Sequence, residues 1–226
     1  VNFLPGWFPG AAGAVAAGLT TLTQVASATA QDSTTITGPA SIQAGDLLVL
    51  YDTAFDSSGI PTTAVPSGFT IISNVVGLAG DSRLISSYKI ATGAEASAAL
   101  SGLASDVPAS GKGLYVFRGN IPITSAAVQD IGQQSTSGNP TSQTVTAASG
   151  IAPLIVFGCY TAFGTVNPRT FSADPKDGEI NFPDGVGVFD NWLAYRIDNA
   201  SGSNTSIDMD DEGTENYLSS FYIECS

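Results

Sequence analysis

The side chains that could carry chemistry in this 226-residue chain are few, and one type is missing altogether: there is no histidine. Without an imidazole no Ser-His-Asp or Cys-His arrangement can form, and nearly every catalytic zinc set is excluded. The chain has no G-x-S-x-G elbow, no G-x-x-x-x-G-K-[ST] phosphate loop and no dinucleotide-binding fingerprint. Carboxylates remain. A glycosidase needs only two of them, one as acid and one as base or nucleophile. With 20 acidic residues some pair is inevitable, and sequence does not say which pair stands at a working separation. Asp208-Met209-Asp210-Asp211-Glu212-Gly213 opens like a calcium loop, with alternating oxygens and a sixth-position glycine. It then departs, with Glu212 at position five and Ser219 where a bidentate glutamate belongs. An acidic hairpin tip and an adventitious Ca²⁺ site both fit it. Phe189, Trp192 and Tyr195 fit either a sugar-stacking platform or core packing. Gly111-Lys112-Gly113 reads as a turn. Cys159 and Cys225 share parity with apolar neighbours, so they read as small buried hydrophobes or as one bridge. The expectation is a protein that is not an enzyme and holds no metal or cofactor.

Charge narrows the partners. The net charge is −13, and the only cations are Arg83, Lys89, Lys112, Arg118, Arg169, Lys176 and Arg196. The first 82 residues carry no Lys or Arg. A nucleic-acid binder needs a basic stripe to displace counterions from phosphate, and none exists, so nucleic acid is excluded as a partner. Anionic membrane surfaces are disfavoured by the same sign argument.

The elements that would position these residues divide into an apolar leader and a body. Residues 1–30, VNFLPGWFPGAAGAVAAGLTTLTQVASATA, are uncharged and rich in Gly and Ala. A signal peptide would need a basic start, and a membrane span would need some 20 apolar residues without the interrupting Pro5, Pro9 and glycines. No membrane insertion is expected. The favoured reading is an anchor arm over 1–30, with Phe3, Leu4, Pro5, Trp7 and Phe8 as its partner-binding residues; a structural arm packed on the chain's own body is the alternative. Large hydrophobes beside prolines suit an interface because the extended segment is already partly ordered.

From Ser33 on, short apolar runs alternate with Gly, Pro, Asp, Asn and Ser clusters, which predicts strands. The runs are Thr34–Thr37, Leu47–Tyr51, Phe69–Val76, Ser82–Ile90, Ser97–Leu100 and Gly113–Phe117. A second set is Gln143–Thr146, Leu154–Tyr160, Val186–Val188, Trp192–Ile197, Thr205–Met209 and Leu218–Cys225. Three motifs recur at one offset of 107: Leu47-Leu48-Val49-Leu50 at Leu154, Tyr88-Lys89-Ile90 at Tyr195, and Leu114-Tyr115-Val116 at Phe221. The fold class expected is all-β, an antiparallel, jelly-roll-like β-sandwich over 31–226 built from two related halves, about 33–120 and 140–226. Gln133–Pro140 reads as the polar connection between them.

The order Gly45-Asp46-Leu47-Leu48-Val49-Leu50, then Pro66-Ser67-Gly68-Phe69-Thr70, then Ser87-Tyr88-Lys89-Ile90 resembles a group of tailed-bacteriophage virion structural proteins. The second half carries a looser version, with Ala152-Pro153 in place of the Gly-Asp start. The Phe3-Leu4-Pro5-Gly6 opening is similar to openings of tail-associated proteins. The resemblance implies a virion component at the tail tip or fibre, docked by its arm to other virion proteins. It also implies a homo-oligomer, with a trimer favoured, and a contact with host surface glycans. Capsid decoration is the first alternative; a carbohydrate-binding module or a secreted adhesin is the next.

Overall fold

The structure is a computed structural model that describes residues 18–62, 64–77, 80–104, 109–137, 153–163, 171–172, 177–181, 189–198, 208–209 and 215–226. Among these every regular element is a strand, so the expected all-β class is met. In chain order the strands are β1 (Leu22–Gln31), β2 (Thr35–Thr37), β3 (Leu47–Phe55), β4 (Thr70–Val76), β5 (Ser82–Ile90), β6 (Ala99–Ser101) and β7 (Ala109–Gly119). They continue with β8 (Ala126–Ser137), β9 (Leu154–Phe163), β10 (Phe171–Ser172), β11 (Gly178–Asn181), β12 (Phe189–Asp198), β13 (Asp208–Met209) and β14 (Glu215–Cys225). One five-stranded sheet has the order β1-β7-β3-β5-β4, and a second has β11-β12-β9-β14-β8. Two small sheets, β2-β6 and β10-β13, complete the set, and every pairing is antiparallel.

The two large sheets face each other across one core. Period-two alternation sends Leu47, Val49, Tyr51, Leu84, Tyr115 and Phe117 of the first sheet inward. Ile155, Leu193, Tyr195, Phe221 and Ile223 of the second sheet meet them. Tyr51 stacks on Phe221 with centroids 6.3 Å apart, and Tyr195 presents an edge to both Tyr115 (4.9 Å) and Phe117 (5.0 Å). Each such buried side chain contributes about 1.5–3 kcal/mol from area alone. A file of hydroxyls crosses the same interface: Ser73 Oγ lies 2.5 Å from Ser86 Oγ and 2.5 Å from Ser219 Oγ. Buried hydroxyls that bond one another avoid the cost of an unmet donor.

The first sheet has a second buried face. Leu48, Leu50, Leu114 and Val116 point away from the second sheet and pack on Ile36, Ile42, Phe69, Leu100 and Leu103, which come from β2, β6, the loops around them and the turn before β4. A strand covered on both sides needs apolar residues at both parities. This is why Leu47-Leu48-Val49-Leu50 is a continuous apolar run.

Three expectations are corrected. Residues 22–30, assigned to the arm, lie in β1, an edge strand bonded along β7 from Leu22↔Gly119 to Gln31↔Gly111. Gln133–Ser137, read as linker, is the end of β8, paired with β14. Both are outer strands rich in small and polar residues, so their sequences carry little apolar alternation. Gly111-Lys112-Gly113, read as a turn, lies inside β7. The expected strands Gln143–Thr146 and Val186–Val188 fall outside the described residues, as does the start of Thr205–Met209.

Candidate functional site

The described ionic chemistry gathers on the outer face of the first sheet. Direct cross-strand partners share a face, so the register Asp52↔Lys112 puts this pair on the face of Leu48, Leu50 and Leu114. Lys89 joins it opposite Leu48. Asp46 and Arg118 continue the same parity just beyond β3 and near the end of β7. Three ion pairs therefore bracket one apolar cluster, and each reaches outward to fasten a covering segment.

At one end Arg118 grips Asp46 with both arms of its fork: Nε donates to Oδ1 and Nη2 to Oδ2, each at 2.7 Å. Nη2 also donates to the Ser41 carbonyl at 2.7 Å, and Asp46 Oδ2 accepts from the Gln43 N–H at 2.7 Å. The loop before β3 is thus pinned to β7. Gly45 has φ +85°, and a Cβ there would come within 2.5 Å of Pro122 Cβ, so Gly-Asp is required by backbone shape as well as charge. Lys89 Nζ meets Glu95 Oε1 at 2.6 Å. Glu95 Oε2 accepts from the N–H groups of Thr92 (3.0 Å) and Gly93 (3.1 Å). Burial pushes the Glu95 carboxyl up, but Lys89 and the local donors together outweigh it and hold the group down at about 2. Arg83 serves likewise, donating to Asn74 Oδ1 at 2.7 Å and to the Pro61 carbonyl at 3.2 Å.

The third pair is different. Lys112 and Asp52 have side chains 0 % and 2 % exposed, with Nζ 3.2 Å from Oδ1. Asp52 Oδ2 accepts the Ala104 N–H at 2.8 Å, tying the segment after β6 to the sheet. Burial pushes the Lys112 amine below its ordinary range, against the pull of Asp52 and of Asp32. Asp32 sits at the end of β1 with φ +44° and accepts the Ser110 N–H at 3.0 Å. The sequence signal for this pair was parity: Lys112 alternates with Leu114 and Val116, and Asp52 with Leu48 and Leu50. Only the sheet order makes those two strands neighbours.

Recesses among the described residues lie both at this face and away from it. A cleft of about 220 Å³ is lined by Gln43, Asp46, Arg118 and Asn120 among others, but the Arg118 guanidinium is committed to Asp46. A shallow groove of about 340 Å³ runs past Gln24, Asp177 and Tyr195 between the two large sheets.

Of the residues singled out from sequence, Phe3, Leu4, Pro5, Trp7 and Phe8 lie outside the described residues, as do Asp210, Asp211 and Glu212. Asp208 and Met209 form β13, paired with Ser172 and Phe171. Among the described residues no three potential ligands cluster as a metal set. Tyr195 is a core residue, 4 % exposed, its hydroxyl 3.4 Å from Gln24 Oε1, so it offers no ring face to a sugar. Cys225 is buried and free, and burial pushes its thiol up to about 12. Cys159 pairs in register with Ser219, six residues before Cys225 on β14. That separation is about 20 Å of strand, far beyond the reach of a disulfide. Family models, curated proteins and solved structures were all compared with the chain, and none matches it.

Proposed function

We propose that the chain is a structural component of a phage virion, at the tail tip or fibre, docked through the hydrophobes of its leader. The observation that carries this reading is how the described charges are used. Arg83, Lys89, Lys112 and Arg118 each hold a loop or a strand of the chain's own fold. A body in which these four described cations are spent on its own fold, joined to an uncharged apolar leader, suits a building block more than a catalyst. The point of attachment supports it. Asn120 Oδ1 accepts the N–H groups of Thr20 and Thr21, and its amide donates to Gly18 O. Leu19 packs against the core. The described chain therefore begins, downstream of Phe3, Leu4, Trp7 and Phe8, at a fastened corner of the body. In a neighbour's groove they would contribute about 1.5–3 kcal/mol each before ordering costs, and symmetric copies, a trimer in this reading, would add avidity.

The finer fold belongs to the same reading: a jelly-roll-like sandwich built from two related halves. Its support is a correspondence of strand order, in which β8, β14, β9, β12 and β11 take the positions of β1, β7, β3, β5 and β4. The starts of β3 and β9, Leu47 and Leu154, keep the offset of 107. Within the first half the chain leaves the large sheet for β2, returns for β3 to β5, leaves again for β6 and returns for β7. That passage between layers is the support for the jelly-roll-like form.

The test is deletion of residues 1–17, stopping short of the Asn120 clamp. The expected product is folded and soluble, with unchanged circular dichroism, and fails to join the particle. Retained incorporation rejects the docking role. Copy number in the particle separates tail from capsid: a few copies support the tail, hundreds the shell.

A further inference from the structure

The docking reading uses the buried Lys112–Asp52 pair only as a tie within the fold, and the pair's surroundings are unlike those of the other two pairs. Lys89 is partly exposed, lies over the Phe69 ring, and faces a carboxylate that backbone and hydroxyl donors keep ionised. Arg118 has no nucleophilic amine. Lys112 is a primary amine, fully enclosed, on the face shared by Leu50 and Leu114, with the Asp52 carboxylate in contact and Asp32 farther off. In a low-dielectric site two opposite charges can be relieved by moving the ammonium proton to the carboxylate within the pair. The products are a neutral amine and a neutral carboxylic acid, which are the reactive forms for acyl transfer.

We propose that Lys112 and Asp52 condense to an intramolecular isopeptide bond that covalently staples β7 to β3. The Nζ lone pair adds to Asp52 Cγ, forming the N–C bond. One N–H proton passes to Oδ1, the oxygen nearest Nζ at 3.2 Å, and Oδ1 leaves as water. Oδ2 becomes the amide oxygen. It already accepts the Ala104 N–H at 2.8 Å, the donor that would stabilise charge as the tetrahedral centre forms. Atoms balance as amine plus acid giving amide plus one water, and one positive and one negative charge disappear from the interior together. The cross-strand register holds the groups in place, and such confinement is worth an effective concentration of about 10⁵ M or more. Excluding water from the site disfavours the reverse hydrolysis.

On the virion reading proposed above, the staple would lie between the leader and the rest of the first sheet. β3 is the central strand of the first sheet and β7 its inner neighbour, and β1, the strand leading from the leader, bonds to β7.

The experiment is intact-mass measurement of the purified full chain, followed by trypsin digestion of the denatured protein. The bonded chain is lighter than its sequence mass by one water. Trypsin does not cut after an acylated lysine, so the peptide Gly113–Arg118 is absent. Residues up to Arg83, which hold no earlier cleavage site, stay attached to the peptide that contains Lys112. Dehydration at Asp177-Gly178 or Asp184-Gly185 would give the same mass change, so Lys112→Arg is the control. It should return to its full sequence mass. Free Gly113–Arg118 in stoichiometric yield, or a water loss that persists in Lys112→Arg, overturns the proposal and leaves an ion pair.

Discussion

Replacing Phe221 by alanine tests whether the two large sheets share one core. Phe221 is 0 % exposed at the middle of β14, with β9 on one side and β8 on the other, and its ring stacks on Tyr51 of the opposite sheet at 6.3 Å. Tyr51 is fixed by its own ladders to β5 and β7, and the same core cluster holds Tyr195 packed edge-on against Tyr115 and Phe117. The site cannot collapse cheaply, so the full cost of a large-to-small change applies: about 3–5 kcal/mol. For a chain of this size that is a fall in Tm of roughly 6–20 °C. The assay is urea unfolding of a Trp7→Phe background, where Trp192 on β12 is the single tryptophan and its fluorescence reports the second sheet. Far-UV circular dichroism reports both sheets. Both signals should move together to a lower midpoint with an unchanged slope. A first-sheet transition that stays in place, or a loss below about 1 kcal/mol, would refute the shared core.

Two further outcomes follow from the ionic and thiol chemistry. Glu95→Gln should lower the unfolding midpoint at neutral pH. The Glu95 carboxyl titrates near 2 when folded against 4.5 when unfolded, so its contribution is complete above 4.5 and is lost as the pH falls toward 2. The gap between wild type and variant should close over that window, and a gap independent of pH would refute the assignment. Without reductant, an aromatic disulfide reagent should find two thiols per denatured chain. In the native protein Cys225 should stay unreactive near pH 8, being buried with its thiol pushed to about 12. A chain with no titratable thiols in denaturant would contradict the register of β9 and β14.

Much of the fold was legible because inner strands obey simple rules. β3, β5, β7, β9, β12 and β14 carry apolar runs bounded by turn residues, and all six lie on or close to predicted segments. Pro66-Ser67-Gly68 is the turn its residues suggest, with Phe69 N–H bonding the Pro66 carbonyl at 3.0 Å and Gly68 at φ +82°. The two long strands that escaped, β1 and β8, are edges. LTQVASATAQ and AAVQDIGQQSTS show weak alternation because an outer strand is fixed mainly by its ladder to one neighbour. A backbone ladder leaves little mark in side-chain type.

The amino-acid sequence by itself determined the class of this protein. The lack of histidine, the sparse charge and the period-two apolar runs dictate a β protein without the common catalytic sets, whatever its strand order. Tertiary structure alone decided which charges meet. Asp52 and Lys112 are sixty residues apart, and Asp46 and Arg118 are seventy-two, so no local pattern links them. Burial on one shared face raises the energy of an unpaired charge, and that cost, set by the long-range pairing of β3 with β7, turns scattered acidic and basic residues into ion pairs.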